Sequence, residues 1–354
     1  MRVRFSSIRR LRGLTLAGLV LAVAFAGGHA SADEVLPSWN DGKARAAIID
    51  FVARTTTAGS PDYVPAADRI AVFDQDGTLW VEQPVYTQLM YSLERVPALV
   101  KARPELASQQ PYATVLQVLG GDAAALGKLS MDDLKTILGA TLSGMSVDEF
   151  ERQVSTWIEK ARDRRFQRPY TELIYQPMLE AMQYLRSYGY RTYIVTGGGQ
   201  DFVRTYSSRV YGVPEDHVVG SAGETEYGYT ADGKPTLTKV PKLLWINDGT
   251  GKPEGIHLMI GQRPQAAFGN SDGDRQMLEY TRAGEGARLA MLVMHDDADR
   301  EYAYGPAQGL PDSKIGTFTQ ALYDQAAREG WHVISIKNDW KQVFPADCKC
   351  RAPH

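Results

Sequence analysis

Residues Arg69 to Phe73 read Arg-Ile-Ala-Val-Phe, and this short apolar run gives out directly into Asp74-Gln75-Asp76-Gly77-Thr78. A strand that is apolar at consecutive positions is buried on both faces, the condition of a parallel sheet covered by helices. Similar runs occur at Arg191 to Val195, His217 to Ser221, Gln265 to Gly269, Arg288 to Met294 and His332 to Ile336. The second is entered from a helix that starts with Pro177 at its first position and stops at Gly189. Strands separated by helical patterns predict an α/β fold, a Rossmann-like parallel sheet with right-handed crossovers.

More than a hundred residues separate the first two of these runs, without strand alternation but with helical signals. Ser130 with Asp133 and Ser146 with Glu149 fit N-terminal capping boxes, and Phe150, Val154, Trp157, Ile158 and Ala161 recur at helical spacing. The simplest organisation is a core of residues 33–83 and 169–354 interrupted by a helical cap at 84–168. Alternation from Glu226 to Val240 around Ala231-Asp232-Gly233-Lys234 predicts a protruding β-hairpin.

Residues 1–32 hold five arginines and no acid, an uncharged stretch from Gly13 to Gly28, and Ala30-Ser31-Ala32. This is the layout of a secretory signal peptide, with Arg9-Arg10 read as a plain basic region although a twin-arginine signal is the alternative. The uncharged stretch is shorter than the ~20 residues of a membrane span, so an uncleaved anchor is the weaker reading. Cleavage moves the formal charge from −3 to −8. A periplasmic or secreted protein is expected, with no nucleic-acid partner and no stable membrane insertion after cleavage. With Cys348 and Cys350 as the only cysteines, a disulfide framework and a Cys-ligated zinc site are excluded, so any metal is held by oxygen or imidazole. The redox state of that pair stays open.

Asp74 and Asp76 stand where a buried strand ends, the place where open α/β sheets bind ligands. Residues i and i+2 point the same way, and Gly77 lets the chain turn sharply beneath them. Two carboxylates so close need a cation or a shared proton.

Phe73-Asp74-Gln75-Asp76-Gly77-Thr78 resembles the first motif of the haloacid dehalogenase-like (HAD) hydrolases, and the other motifs follow in order. Val195-Thr196-Gly197-Gly198-Gly199 is similar to the second, Lys252 ahead of the helix-like Pro253 to Ile260 to the third, and Gly269-Asn270-Ser271-Asp272-Gly273-Asp274 to the acidic fourth. The similarity spans about Ile48 to Val293 and is closest to the phosphoserine-phosphatase-like branch. It implies a phosphomonoesterase acting on a small phosphorylated substrate, which the signal-like layout of residues 1–32 would place outside the cytoplasm. Asp74 is the expected nucleophile and Asp76 the acid and base, while Thr196, the Gly197 and Gly198 amides and Lys252 hold the phosphoryl oxygens. Mg²⁺ is the expected cofactor, on the Asp74 carboxylate, the Asp76 carbonyl and a side chain of the fourth motif. There the sequence departs from the family: Asn270 replaces the first acid. Asp272 is the alternative source of the missing charge, and Asp274 matches the second acid.

Several alternatives stay open. Lys242 is a rival for Lys252, whereas Lys239 reads as a solvated loop residue. His295-Asp296-Asp297 follows a strand on the expected rim, although a solvated loop or helix cap suits it as well. Glu82, Gln83 and Tyr86 lie where phosphoserine-phosphatase-like relatives read the substrate. Phosphonate or halide chemistry, or a non-catalytic binding protein with a decayed metal site, are the competing functions.

Overall fold

The computed structural model describes residues 35–345. The signal segment at 1–32 and the cysteine pair at 348 and 350 lie outside the described residues. None of the helices described is long and apolar enough to cross a membrane.

Seven strands form one sheet: β1 (Ile70–Phe73), β2 (Arg191–Gly199), β3 (Val218–Tyr229), β4 (Pro235–Trp245), β5 (Ala266–Gly269), β6 (Leu289–Met294) and β7 (His332–Ser335). Their order is β4-β3-β2-β1-β5-β6-β7, parallel except for the antiparallel pair β3–β4. All four residues of β1 are buried, as its apolar run requires. The chain leaves β1 for β2 on one side and later returns to β5 on the other, so β1 lies at the point where the connections change direction. Phe73 is level with Ile194 of β2 and Phe268 of β5, and the Phe73 and Phe268 rings stack at 4.4 Å. That register brings Asp74 and Asn270, just beyond β1 and β5, and Thr196, two residues past Ile194 within β2, together at the carboxyl ends of these strands.

The helices are α1 (Lys43–Thr56), α2 (Thr87–Ala102), α3 (Tyr112–Leu119), α4 (Met131–Leu142), α5 (Val147–Ile158), α6 (Gln176–Ser187), α7 (Gln200–Tyr211), α8 (Gly251–Gly255), α9 (Arg275–Arg282), α10 (Gln320–Glu329) and α11 (Ile336–Asp339). Five of them, α2 to α6, lie between β1 and β2, and α2, α3 and α4 share a small apolar core of Val85, Met90, Leu93, Val96, Leu106, Tyr112, Val115 and Ile137, against which Trp157 of α5 packs. The Ser130–Asp133 box is complete. At α5 only half of the expected box forms: Ser146 accepts from the Glu149 amide, while the Glu149 carboxylate turns outward to Arg152 and Gln153.

One expectation is corrected at the sheet edge. The strand expected at 217–221 and the first arm of the hairpin are a single strand, β3, parallel to β2 at Val218 and Val219 and antiparallel to β4 from Ala222 onward. Its middle, Ser221-Ala222-Gly223-Glu224-Thr225, is only partly buried, so no apolar periodicity marks its continuity. Lys239 is also unlike its expectation. It is buried on β4, paired with Asp201 and placed 4.7 Å over the Phe150 ring.

Candidate active site

Asp74 follows β1 and is held there by its own amide, which donates to the Phe268 carbonyl at 2.9 Å. Its Oδ1 is 2.7 Å from Lys252 Nζ, which also lies 2.6 Å from Asp274 Oδ1 and donates to the Val195 carbonyl at 3.1 Å. Lys252 is on α8 and almost fully buried. Burial alone would lower its pKa, but Asp274 and Asp74 more than offset that, so it stays cationic. Burial and then the Asp274 charge push the Asp74 carboxyl well above its usual range in spite of Lys252. One ammonium therefore faces more negative charge than it neutralises. Lys242 is exposed and paired with Glu224 at 2.6 Å, so Lys252 is the lysine that reaches Asp74.

The Asp76 carboxyl takes the Trp80 indole N–H on Oδ1 at 2.6 Å. Burial pushes it up to about 6, against the pull of Trp80 and Lys252. Its other oxygen faces the glycine loop: a Cβ built on Gly198 would stand 3.7 Å from Asp76 Oδ2. Gly77, at φ +72°, makes the turn after Asp76, and its carbonyl accepts from His295 Nε2 at 2.8 Å while His295 Nδ1 lies 2.9 Å from Glu301. His295 is thus a buried support under the loop. Of its neighbours, Asp296 caps the start of α11 by accepting from the Lys337 amide, and Asp297 holds a turn by accepting from the amides of Asp299 and Arg300.

Thr196 Oγ1 accepts from the Gly198 amide at 3.0 Å, so that amide turns back into the loop and only a rearrangement would free it for an anion. Asn247, fully buried, donates to the Thr196 carbonyl at 2.9 Å and fixes the strand end. Asp274 Oδ2 accepts from the amides of Asn270 and Ser271, which ties the fourth loop to Lys252. Asp272 is turned elsewhere: its Oδ1 is engaged by Arg275 at 3.1 Å and Thr319 at 2.9 Å. The structure therefore brings together Asp74, Asp76, Thr196, Gly198, Lys252, Asn270 and Asp274. It does not bring Asp272 into contact with them.

The model of the haloacid dehalogenase-like hydrolases matches residues 71–279, more than half of the chain. The chain belongs to this family. A conserved protein of unknown function from Anaerococcus prevotii DSM 20548 shares the fold at 15% identity and a TM-score of 0.52, over 84% of this chain and 94% of that one. A protein of unknown function from Bordetella pertussis Tohama I aligns at 15% identity and a TM-score of 0.47, over 75% and 97%. A phosphoserine phosphohydrolase-like protein from Francisella tularensis aligns at 18% identity and 0.34, over 64% and 88%. Comparison with curated proteins gives no significant match.

In this HAD hydrolase the groups beside Asp74 that could ligate a metal, the Asp76 carbonyl and the Asn270 side chain, offer oxygen, and the nitrogen that reaches Asp74, Lys252 Nζ, is a cation. Among the described residues the Asp76 carbonyl accepts no hydrogen bond, and Asn270 Oδ1 has only the Thr78 hydroxyl, at 3.1 Å. That donor chemistry suits a hard divalent cation. Among the described residues no three His, Cys, Asp or Glu side chains are gathered as a metal cluster, so neutral oxygens must complete any such shell. A surface cleft of about 660 Å³ between α2 and α5, lined by Glu94, Arg95, Glu149 and Arg152, contains none of these residues.

Two site neighbours carry no sequence signal. Gln88 reaches from α2 to accept the Gly199 amide at 2.7 Å, linking the inserted helices to the glycine loop. Asp248, exposed, stands beside the glycines of the second and fourth motifs, 3.6 Å from a Cβ built on Gly197 and 2.5 Å from one built on Gly273. Each is a single polar residue in a helix or loop, with no spacing to single it out.

Proposed function

We propose that this HAD hydrolase is a phosphomonoesterase working through an aspartyl-phosphate on Asp74. The observation that carries the reading is the pairing of two unlike carboxyls on one strand end. Asp74 is ion-paired with Lys252, and Asp76 is held near the pH at which an acid can both give and take a proton.

Asp74 attacks phosphorus as its bond to the ester oxygen breaks, and Asp76 gives that oxygen its proton. Water then attacks the aspartyl-phosphate while Asp76 takes the proton back, releasing phosphate and free Asp74. Lys252 offsets the repulsion between Asp74 and an anionic substrate. Asp74, the Asp76 carbonyl and Asn270 would hold Mg²⁺, which when bound supplies positive charge to the phosphoryl oxygens. Residues 84–168 would serve as the cap that selects a small phosphorylated substrate, with Gln88 as their link to the glycine loop. The signal-like layout of residues 1–32 supports export.

The test is phosphate release from an aryl phosphate by protein beginning at Asp33, with Mg²⁺ and after chelation. Release with Mg²⁺ that EDTA removes is expected. No release under either condition, across aryl, sugar, nucleotide and amino-acid phosphates, would leave the binding-protein reading instead.

A further inference from the structure

Asn270 removes a negative charge from the fourth motif, and the structure shows what lies behind it. Its Nδ2 donates to Glu82 Oε1 at 2.7 Å, and the same oxygen accepts from the Tyr304 hydroxyl at 2.8 Å. Glu82 is 2% exposed and Asn270 1%. No Lys, Arg or His pairs with Glu82 among the described residues, since Lys252 is taken by Asp74 and Asp274. Isolating a carboxylate in this way is costly unless positive charge lies near.

The contact is built from both sides. A Cβ on Gly77 would fall 2.1 Å from Asn270 Nδ2 and 2.3 Å from Glu82 Oε1, and one on Gly316, from a distant loop, would fall 1.8 Å from the same Glu82 oxygen. Two glycines, at φ +72° and +62°, leave the space in which the pair meets.

We propose that Glu82 and Asn270 act as one unit in place of the missing acid, Glu82 orienting the Asn270 amide so that its carbonyl oxygen serves a divalent cation and supplying the charge at one remove. The inference rests on the metal-assisted reading above. A carboxylate that accepts an amide N–H draws electron density toward the amide oxygen, as carboxylates behind metal-bound imidazoles do for nitrogen. Glu82 is a positioning residue in this account.

The experiment is calorimetric titration of Mn²⁺ into resting protein without substrate, so that it reads binding and not turnover. Glu82→Gln keeps an acceptor oxygen for Asn270 and Tyr304, and should weaken Mn²⁺ by about 10- to 100-fold, the usual range for losing such a partner. Adding Asn270→Asp to Glu82→Gln returns a carboxylate to the site and should recover most of the affinity. Melting curves without metal check that each variant is folded, and Asn270→Ser, expected to weaken Mn²⁺ as well, stands in if Glu82→Gln is not. Wild-type affinity in Glu82→Gln, or in its stand-in Asn270→Ser, overturns the inference alone, as does a loss that Asn270→Asp leaves unrecovered. Failure of the wild-type protein to bind Mn²⁺ overturns both this inference and the metal-assisted reading.

Discussion

Asp74→Asn should leave a folded protein whose turnover of an aryl phosphate falls by about 10⁴-fold or more, the scale of losing a covalent nucleophile. The amide nitrogen and oxygen cannot form the aspartyl-phosphate. The fold should survive because Lys252 keeps Asp274 at 2.6 Å and the Val195 carbonyl at 3.1 Å. The substitution also removes a carboxyl whose charged form burial disfavours. Steady-state kinetics beside a melting curve measure both parts. A folded variant with a tenth of wild-type activity is incompatible with covalent catalysis by Asp74.

In kcat/KM, which reports formation of the aspartyl-phosphate, Asp76→Asn should cost ~10²- to 10⁴-fold on alkyl phosphates, whose leaving oxygen needs a proton, and far less on aryl phosphates, whose leaving group does not. The pH profile is the sharper reading. With the carboxyl pushed up to about 6, ester cleavage that needs its proton should fall as pH rises through that value, and Asp76→Asn should remove this limb. Stability should move in a related way. A folded-state pKa above the ordinary 3.8 means that the folded protein binds this proton more tightly than the unfolded chain. The stability it contributes is full below about pH 4 and lost as pH rises toward about 6. At pH 7.5 Asp76→Asn should therefore melt higher than wild type, with the gap closing in acid. Equal losses in kcat/KM on both ester types, or an unchanged fall in rate above about pH 6, would remove Asp76 from the role.

What the sequence made legible is local. A buried parallel strand must be apolar residue after residue, so β1, β5, β6 and β7 stand within a residue or so of their apolar runs, and the start of β2 is where its run begins. The turn chemistry at Gly77 and the carboxylate pair belong to the same few residues. What was hidden is carried by contacts between distant positions. Glu82 and Asn270 are 188 residues apart, Gln88 and Gly199 are 111 apart, and His295 and Gly77 are 218 apart. No periodicity in a single sequence records such pairs. The choice between Asn270 and Asp272 was open for the same reason: only the fold shows Asp272 taken by Arg275 and Thr319 while Asn270 faces Glu82. Lys239 read as solvated because its partner, Asp201, comes from a helix 38 residues earlier.

The central claim is that the phosphoryl group passes through Asp74. Wild-type protein mixed with a rapidly cleaved aryl phosphate, quenched in acid within the turnover time and digested at low pH, tests it by peptide mass spectrometry. The account predicts one phosphoryl group on the peptide containing Asp74, absent from Asp74→Asn and more abundant in Asp76→Asn, where hydrolysis of the intermediate is slowed. Steady turnover with no such adduct, or with the phosphoryl group on another peptide, would contradict it.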